Sequence, residues 1–201
     1  MAYSNFKLKD IERLAHLNEV VTSLFKDVMP LQPSSWLKET LEKSSHLFPK
    51  SEKSRSELLI MPLLLEILHH NNYSFTIFSG ENLDADIEKG LNGECDFILS
   101  QGEKSYTIQN PIFALVEAKQ NIIENSLGQC VAQMVGAKIF NDTDGKIINT
   151  IYGCVTNGTD WQFLKLENNV IYIDDKHYFF NELPTILGIL NQIIINSIIH
   201  S

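Results

Sequence analysis

Apolar residues recur along this chain with two periods, and the change from one to the other outlines its elements. Between residues 8 and 28, Ile11, Leu14, Leu17, Val20, Val21 and Leu24 fall at helical spacing. That spacing predicts one amphipathic helix, ended by Pro30 and Pro33. Ser34 or Ser35 can cap a second helix from Trp36 to about Leu47. A polar linker over 49–54 leads to a third helix, capped by Ser56 and running to about His70, with Pro62 expected to kink or split it. The period then shortens. Tyr73–Phe78, Cys95–Leu99, a stretch within 105–119, Ile147–Val155, Trp161–Leu166 and Val170–Ile173 read as strands, bounded by polar turn residues. One helix, Ile123–Phe140, interrupts them. Asn157-Gly158 and Asn168-Asn169 are turn residues of hairpin type. Pro184 starts a last helix that is apolar around much of its circumference, a width that suits burial against the body of the protein or a homodimer interface.

Helix, strands, helix and strands in this order predict an α/β sandwich, a mixed sheet with helices packed on it. The N-terminal pair of helices is expected to form a helical extension over 1–50, ahead of a main domain over 51–201.

Candidate chemistry lies between Cys95 and Lys119. In a strand, residues two apart share a face. Glu117 and Lys119 therefore project together, while Val116 and Ala118 face the other way. A carboxylate and an ammonium on an otherwise buried strand are costly unless something pairs or uses them. Asp96, near the start of the preceding strand, can complete the group. Two carboxylates and a lysine suit a hard divalent cation such as Mg²⁺, with the lysine placed to hold a water or a phosphate oxygen.

Asp96 followed by Glu117-x-Lys119 on the next strand resembles the core of the PD-(D/E)xK nucleases. The resemblance extends over about residues 56–166. Ser56-Glu57-Leu58-Leu59-Ile60-Met61-Pro62 resembles the opening helix of the nuclease domain found at the N-terminus of type I restriction enzyme R subunits. Ser126-Leu127-Gly128-Gln129-Cys130-Val131-Ala132-Gln133 resembles the helix bearing that family's Gln-xxx-Tyr motif, with Gln133 standing where tyrosine is usual. Tyr152 to Trp161 resembles its strand–turn–strand with a Thr-Asn-Gly turn. The resemblance implies a restriction-endonuclease-like fold and Mg²⁺-dependent hydrolysis of nucleic acid, with Mn²⁺ as a substitute. It implies metal binding by Asp96, Glu117 and the Ala118 carbonyl, with Glu57 reaching the ion directly or through water. Lys119 would orient the attacking water or stabilise developing charge, and Gln129 would position a phosphate or Lys119. DNA is the implied partner, in restriction or repair. A nuclease fold kept only for binding nucleic acid or protein is the alternative.

Charge complicates this picture. The chain of 201 residues carries 16 Lys and Arg against 25 Asp and Glu, a net charge of −9. Nucleic-acid affinity rests largely on phosphate neutralisation, so few cations must be concentrated to serve it. Five of the 16 lie between Lys38 and Arg55, leading into the Glu57 helix, as a phosphate-facing rim or a solvated face. No Walker A run is present, so the chain would act alone or with further protein subunits. No apolar run is long enough to span a membrane, and no secretory signal opens the chain. Three cysteines without metal-ligand spacing read as free thiols in a cytoplasmic protein.

Overall fold

The computed structural model of the chain describes residues 2–102, 104–120, 122–143, 145–146 and 148–199. Its helices are α1 (Leu8–Ala15), α2 (Ser35–Ser45), α3 (Glu52–Arg55), α4 (Met61–His70), α5 (Leu127–Thr143) and α6 (Leu183–Ile199). Its strands are β1 (Asn18–Thr22), β2 (Thr76–Asn82), β3 (Glu94–Ser100), β4 (Ile112–Ala118), β5 (Thr150–Thr156), β6 (Asp160–Glu167), β7 (Val170–Asp174) and β8 (Tyr178–Phe179). One mixed sheet has the order β1-β7-β6-β5-β4-β3-β2, with β8 paired to the start of β6. The β4–β5 and β1–β7 pairs are parallel, and the other pairs are antiparallel. The expected α/β architecture of a mixed sheet flanked by helices is thus observed.

Alternation along the strands supplies two cores. Phe97 and Leu99 of β3, with Tyr152 and Cys154 of β5, join residues of α2, α4 and α6 on one face. Ile98, Ile151 and Val155 join residues of α1 and α5 on the other. Ile186, Leu187, Ile189, Leu190, Ile193 and Ile194 of α6 are buried within the protomer, so intramolecular packing accounts for its broad apolar face.

The first 28 residues differ from expectation. The helix read over 8–28 ends at Ala15, where His16 takes a left-handed backbone (φ 52°), and residues 18–22 form β1. Asn18 to Thr22 pair in register with Val170 to Asp174, so residues 1–50 are not helical throughout and contribute an edge strand to the sheet. Val20 and Val21 happen to continue the helical spacing, but β-branched residues also suit a strand, and a partner far along the chain decides between them. β2 begins at Thr76, not Tyr73, because Asn72 and Tyr73 are both left-handed. Ile147, expected to open the β5 strand, lies outside the described residues.

The third helix also starts early. Ser51 caps α3 by accepting the Ser54 N–H at 3.1 Å, so the helix begins inside the expected linker. Ser56–Ile60 then form a π turn, in which Met61 N–H reaches back to Ser56 O. Pro62 is the second residue of α4 and directly follows the π turn. The extra backbone of the π turn, not a break at Pro62, absorbs the irregularity.

Candidate active site

Glu117 is the second-last residue of β4 and lies on the face covered by α5. Its side chain is only 2 % exposed. Lys119 Nζ donates to Glu117 Oε1 at 2.6 Å, and Gln129 Nε2 donates to the same oxygen. Gln133 Nε2 donates to Oε2 at 2.7 Å. Both amides come from successive turns of α5, the crossover helix between the parallel strands β4 and β5. Residues i and i+4 of a helix share a face, so Gln129 and Gln133 descend on the carboxylate together. Gly153 lets α5 lie close to the sheet: a Cβ there would stand 2.5 Å from Met134 Sδ and 2.9 Å from Cys130 Sγ.

Asp96 belongs to β3, one residue before Phe97, which pairs with Val116. Asp96 Oδ2 accepts the Ala118 N–H at 2.8 Å, which holds the carboxylate beside the end of β4. Lys119 N–H donates to Thr156 O at 2.8 Å, so β4 and β5 stay registered as Lys119 leaves the strand. The expected grouping of Asp96, Glu117, Lys119 and Gln129 is therefore present, and Gln133 joins it. The Gln133 side chain takes part in the cluster although it stands at a position where the resembled family has tyrosine.

The electrostatics are those of a buried carboxylate, Glu117, with the half-buried Asp96 carboxylate near it. Burial pushes the Glu117 carboxyl up to about 7, and the Asp96 charge adds to the shift. Burial raises Asp96 as well, against the lowering effect of its bond from Ala118 N–H and of the Lys119 charge. Burial alone would lower Lys119, but the adjoining Glu117 carboxylate outweighs it and the ammonium is raised.

Glu57 does not join this group. Its side chain is 61 % exposed and its oxygen lies 3.9 Å from Lys53 Nζ, one turn back along the helix. The acid on this helix whose charge acts on both Asp96 and Lys119 is Glu52, at the start of α3. Beginning the helix at Ser56 hid it. The Ser51-x-x-Ser54 pair, which makes reciprocal capping bonds, is the sequence signal that reveals the earlier start.

The Thr156–Trp161 turn is a structural brace. Thr156 Oγ1 donates to Asp160 O at 2.7 Å, and Asn157 Oδ1 accepts from Thr159 and Asp160 N–H. Trp161 is buried in the core and donates to Gly158 O. Arg55 Nη1 donates to Asn157 O at 2.7 Å, fastening α3 to this turn. All three cysteines are buried and free.

Among the described residues, no set of three or more His, Cys, Asp and Glu side chains converges as a ready metal cage. The donor chemistry nevertheless fits a hard divalent cation. The buried Glu117 and half-buried Asp96 carboxylates and a backbone carbonyl offer oxygen donors, and a small cation would favour the ionised Glu117 that burial and the Asp96 charge disfavour. No family model matches the chain, and no curated protein matches it. No helix among the described residues is long and apolar enough to cross a membrane.

Proposed function

We propose that the chain is a metal-dependent phosphodiester hydrolase of nucleic acid, built on a restriction-endonuclease-like variant of its α/β fold, with DNA as the substrate to test first. The observation that carries this reading is the buried Glu117, held by Lys119, Gln129 and Gln133 with Asp96 alongside. Structural ion pairs rarely need two carboxylates in one desolvated pocket, because each raises the cost of ionising the other.

Asp96, Glu117 and the Ala118 carbonyl would hold Mg²⁺ or Mn²⁺. When bound, such an ion polarises a phosphate and lowers the pKa of an attacking water. Gln129 and Gln133 fix the Glu117 carboxylate in one orientation. Lys119 supplies a positive charge on the same face, suited to orienting a water or balancing charge that develops on a phosphate oxygen. Glu52 adds negative potential from the α3 side.

A second reading, a nuclease fold retained for binding alone, draws support from Glu57, which faces solvent, and from the net charge of −9. One assay separates the two. Linear, circular and single-stranded DNA are incubated with Mg²⁺ or Mn²⁺ and either the parent or Lys119→Ala. Hydrolysis requires cleavage by the parent and its loss in the variant. Folded parent protein that cuts none of them favours the binding module.

A further inference from the structure

Just past Lys119 lies an open trough of about 530 Å³ that the hydrolytic chemistry does not use. Phe48, Lys50, Arg55, Gln120 and Thr159 line it. Its place is fixed relative to the site. Gln120 directly follows Lys119, and Arg55 is tied to the turn after β5 through Asn157 O. Arg55 also belongs to the same short helix as Glu52, whose charge reaches Asp96 and Lys119.

Phe48 is 89 % exposed, the most exposed phenylalanine among the described residues. It makes none of the ring–ring contacts found among them. A phenyl ring left in water within a trough that also holds Lys50 and Arg55 combines two chemistries, a flat apolar face and positive charge. Arg55 lines the trough while its Nη1 is held by Asn157 O, so its charge is fixed in place there. Gln120 and Thr159 add an amide and a hydroxyl to its lining.

We propose that this trough seats an unpaired nucleotide of the strand being cut, with Phe48 stacked on its base and Lys50 and Arg55 beside the flanking phosphates. The substrate class is then single-stranded or locally unpaired nucleic acid. In a duplex each base face is covered by its neighbours, so only an unpaired base offers a face to a side chain. Local cations also resolve the charge problem, since a strand threading this trough meets positive groups although the whole chain is acidic. The proposal rests on the hydrolytic reading for its position next to the scissile phosphate, but binding can be measured apart from cleavage.

The test is fluorescence anisotropy of short labelled single-stranded DNA, single-stranded RNA and duplex DNA, with Ca²⁺ present, for the parent, Phe48→Ala and Phe48→Tyr. The parent should bind a single strand more tightly than the duplex, and comparing the DNA and RNA arms identifies the sugar. Phe48→Ala should weaken single-strand binding about tenfold, the order of one lost base–aromatic stack. Phe48→Tyr should restore it, and duplex binding should not change. Because Phe48 is so exposed, its circular dichroism and melting should match the parent. Equal single-strand affinity in Phe48→Ala, an equal loss for the duplex, or no single-strand binding by the parent would overturn the proposal. The two readings fail separately. Cleavage that depends on Lys119 but is indifferent to Phe48 leaves the hydrolase and removes the trough. Phe48-dependent binding without any cleavage does the reverse.

Discussion

Two glutamates are buried among the described residues, and they solve the same problem differently. Glu66 of α4 accepts Ser34 N–H on one oxygen and Ser34 Oγ–H on the other, both at 2.7 Å. Its carboxylate closes the start of α2 and thereby docks α2 on α4. Glu117 is also saturated, but its partners are a lysine and two amides, and a second carboxylate stands beside it. Neutral local donors make a joint. A lysine, two carboxamides and a competing acid make a site whose balance an added cation would change.

The sharpest way to break the comparison is to remove charge at the site without removing shape. Asp96→Asn should lower cleavage by about 10²–10³-fold, comparable to deleting one preorganised electrostatic group. Its melting temperature should stay near the parent's or rise, because the half-buried Asp96 charge, which burial disfavours and which opposes ionisation of Glu117, is gone. A variant that cuts at the parent rate would detach Asp96 from the chemistry.

At the joint the opposite pattern is expected. Glu66→Ala leaves the Ser34 N–H and hydroxyl without their acceptor and opens space under α2. Chemical denaturation should show a loss of about 2 kcal/mol or more. The folded fraction should keep its specific activity.

A third test uses pH. The Glu117 carboxyl is raised from its ordinary 4.5 to about 7 in the folded protein. The folded state therefore binds more protons than the unfolded state in that interval. Metal-free stability from this group is fully present below about pH 4.5 and is lost as pH rises towards 7. The slope is roughly 1.4 kcal/mol per pH unit at most. Added Mg²⁺ should offset the decline by favouring the ionised form, and Glu117→Gln should flatten the profile. Melting curves from pH 5 to 8, with and without Mg²⁺, read all three.

The smallest expected effect concerns the two acids on the α3–α4 helix. Glu57→Ala should change stability by less than about 0.5 kcal/mol, as an exposed pair with Lys53 implies. It should leave cleavage within about twofold, whereas Glu52→Ala should reduce cleavage by up to about tenfold by removing a charge felt at Asp96 and Lys119. Single-turnover rates for the pair check both statements.

What the sequence made legible follows the range of the interactions involved. The Glu117 and Lys119 pairing could be read from strand alternation and Gln129 from the resemblance alone, while Gln133 entered only with the folded chain, where it shares the Gln129 face of α5. Asp96 could be placed because β3 and β4 are neighbours in both sequence and sheet. Glu52 was hidden because it falls in the polar stretch over 49–54 that reads as a linker, ahead of the helix start expected at Ser56. β1 was hidden because its partner β7 lies about 150 residues away, and Val20 and Val21 satisfy a helical pattern until that partner is known. Phe48 carries no periodic signal at all. Its importance lies in exposure beside Lys50 and Arg55, which only the folded chain displays.

The central claim is that Asp96 and Glu117 together hold a divalent cation. Electron paramagnetic resonance of Mn²⁺ titrated into the parent and into Glu117→Gln tests it most directly, with circular dichroism to show that both are folded. The account predicts a saturable Mn²⁺ site in the parent that Mg²⁺ displaces and that Glu117→Gln loses. Mn²⁺ binding unchanged in the folded variant, or none in the folded parent, would contradict it.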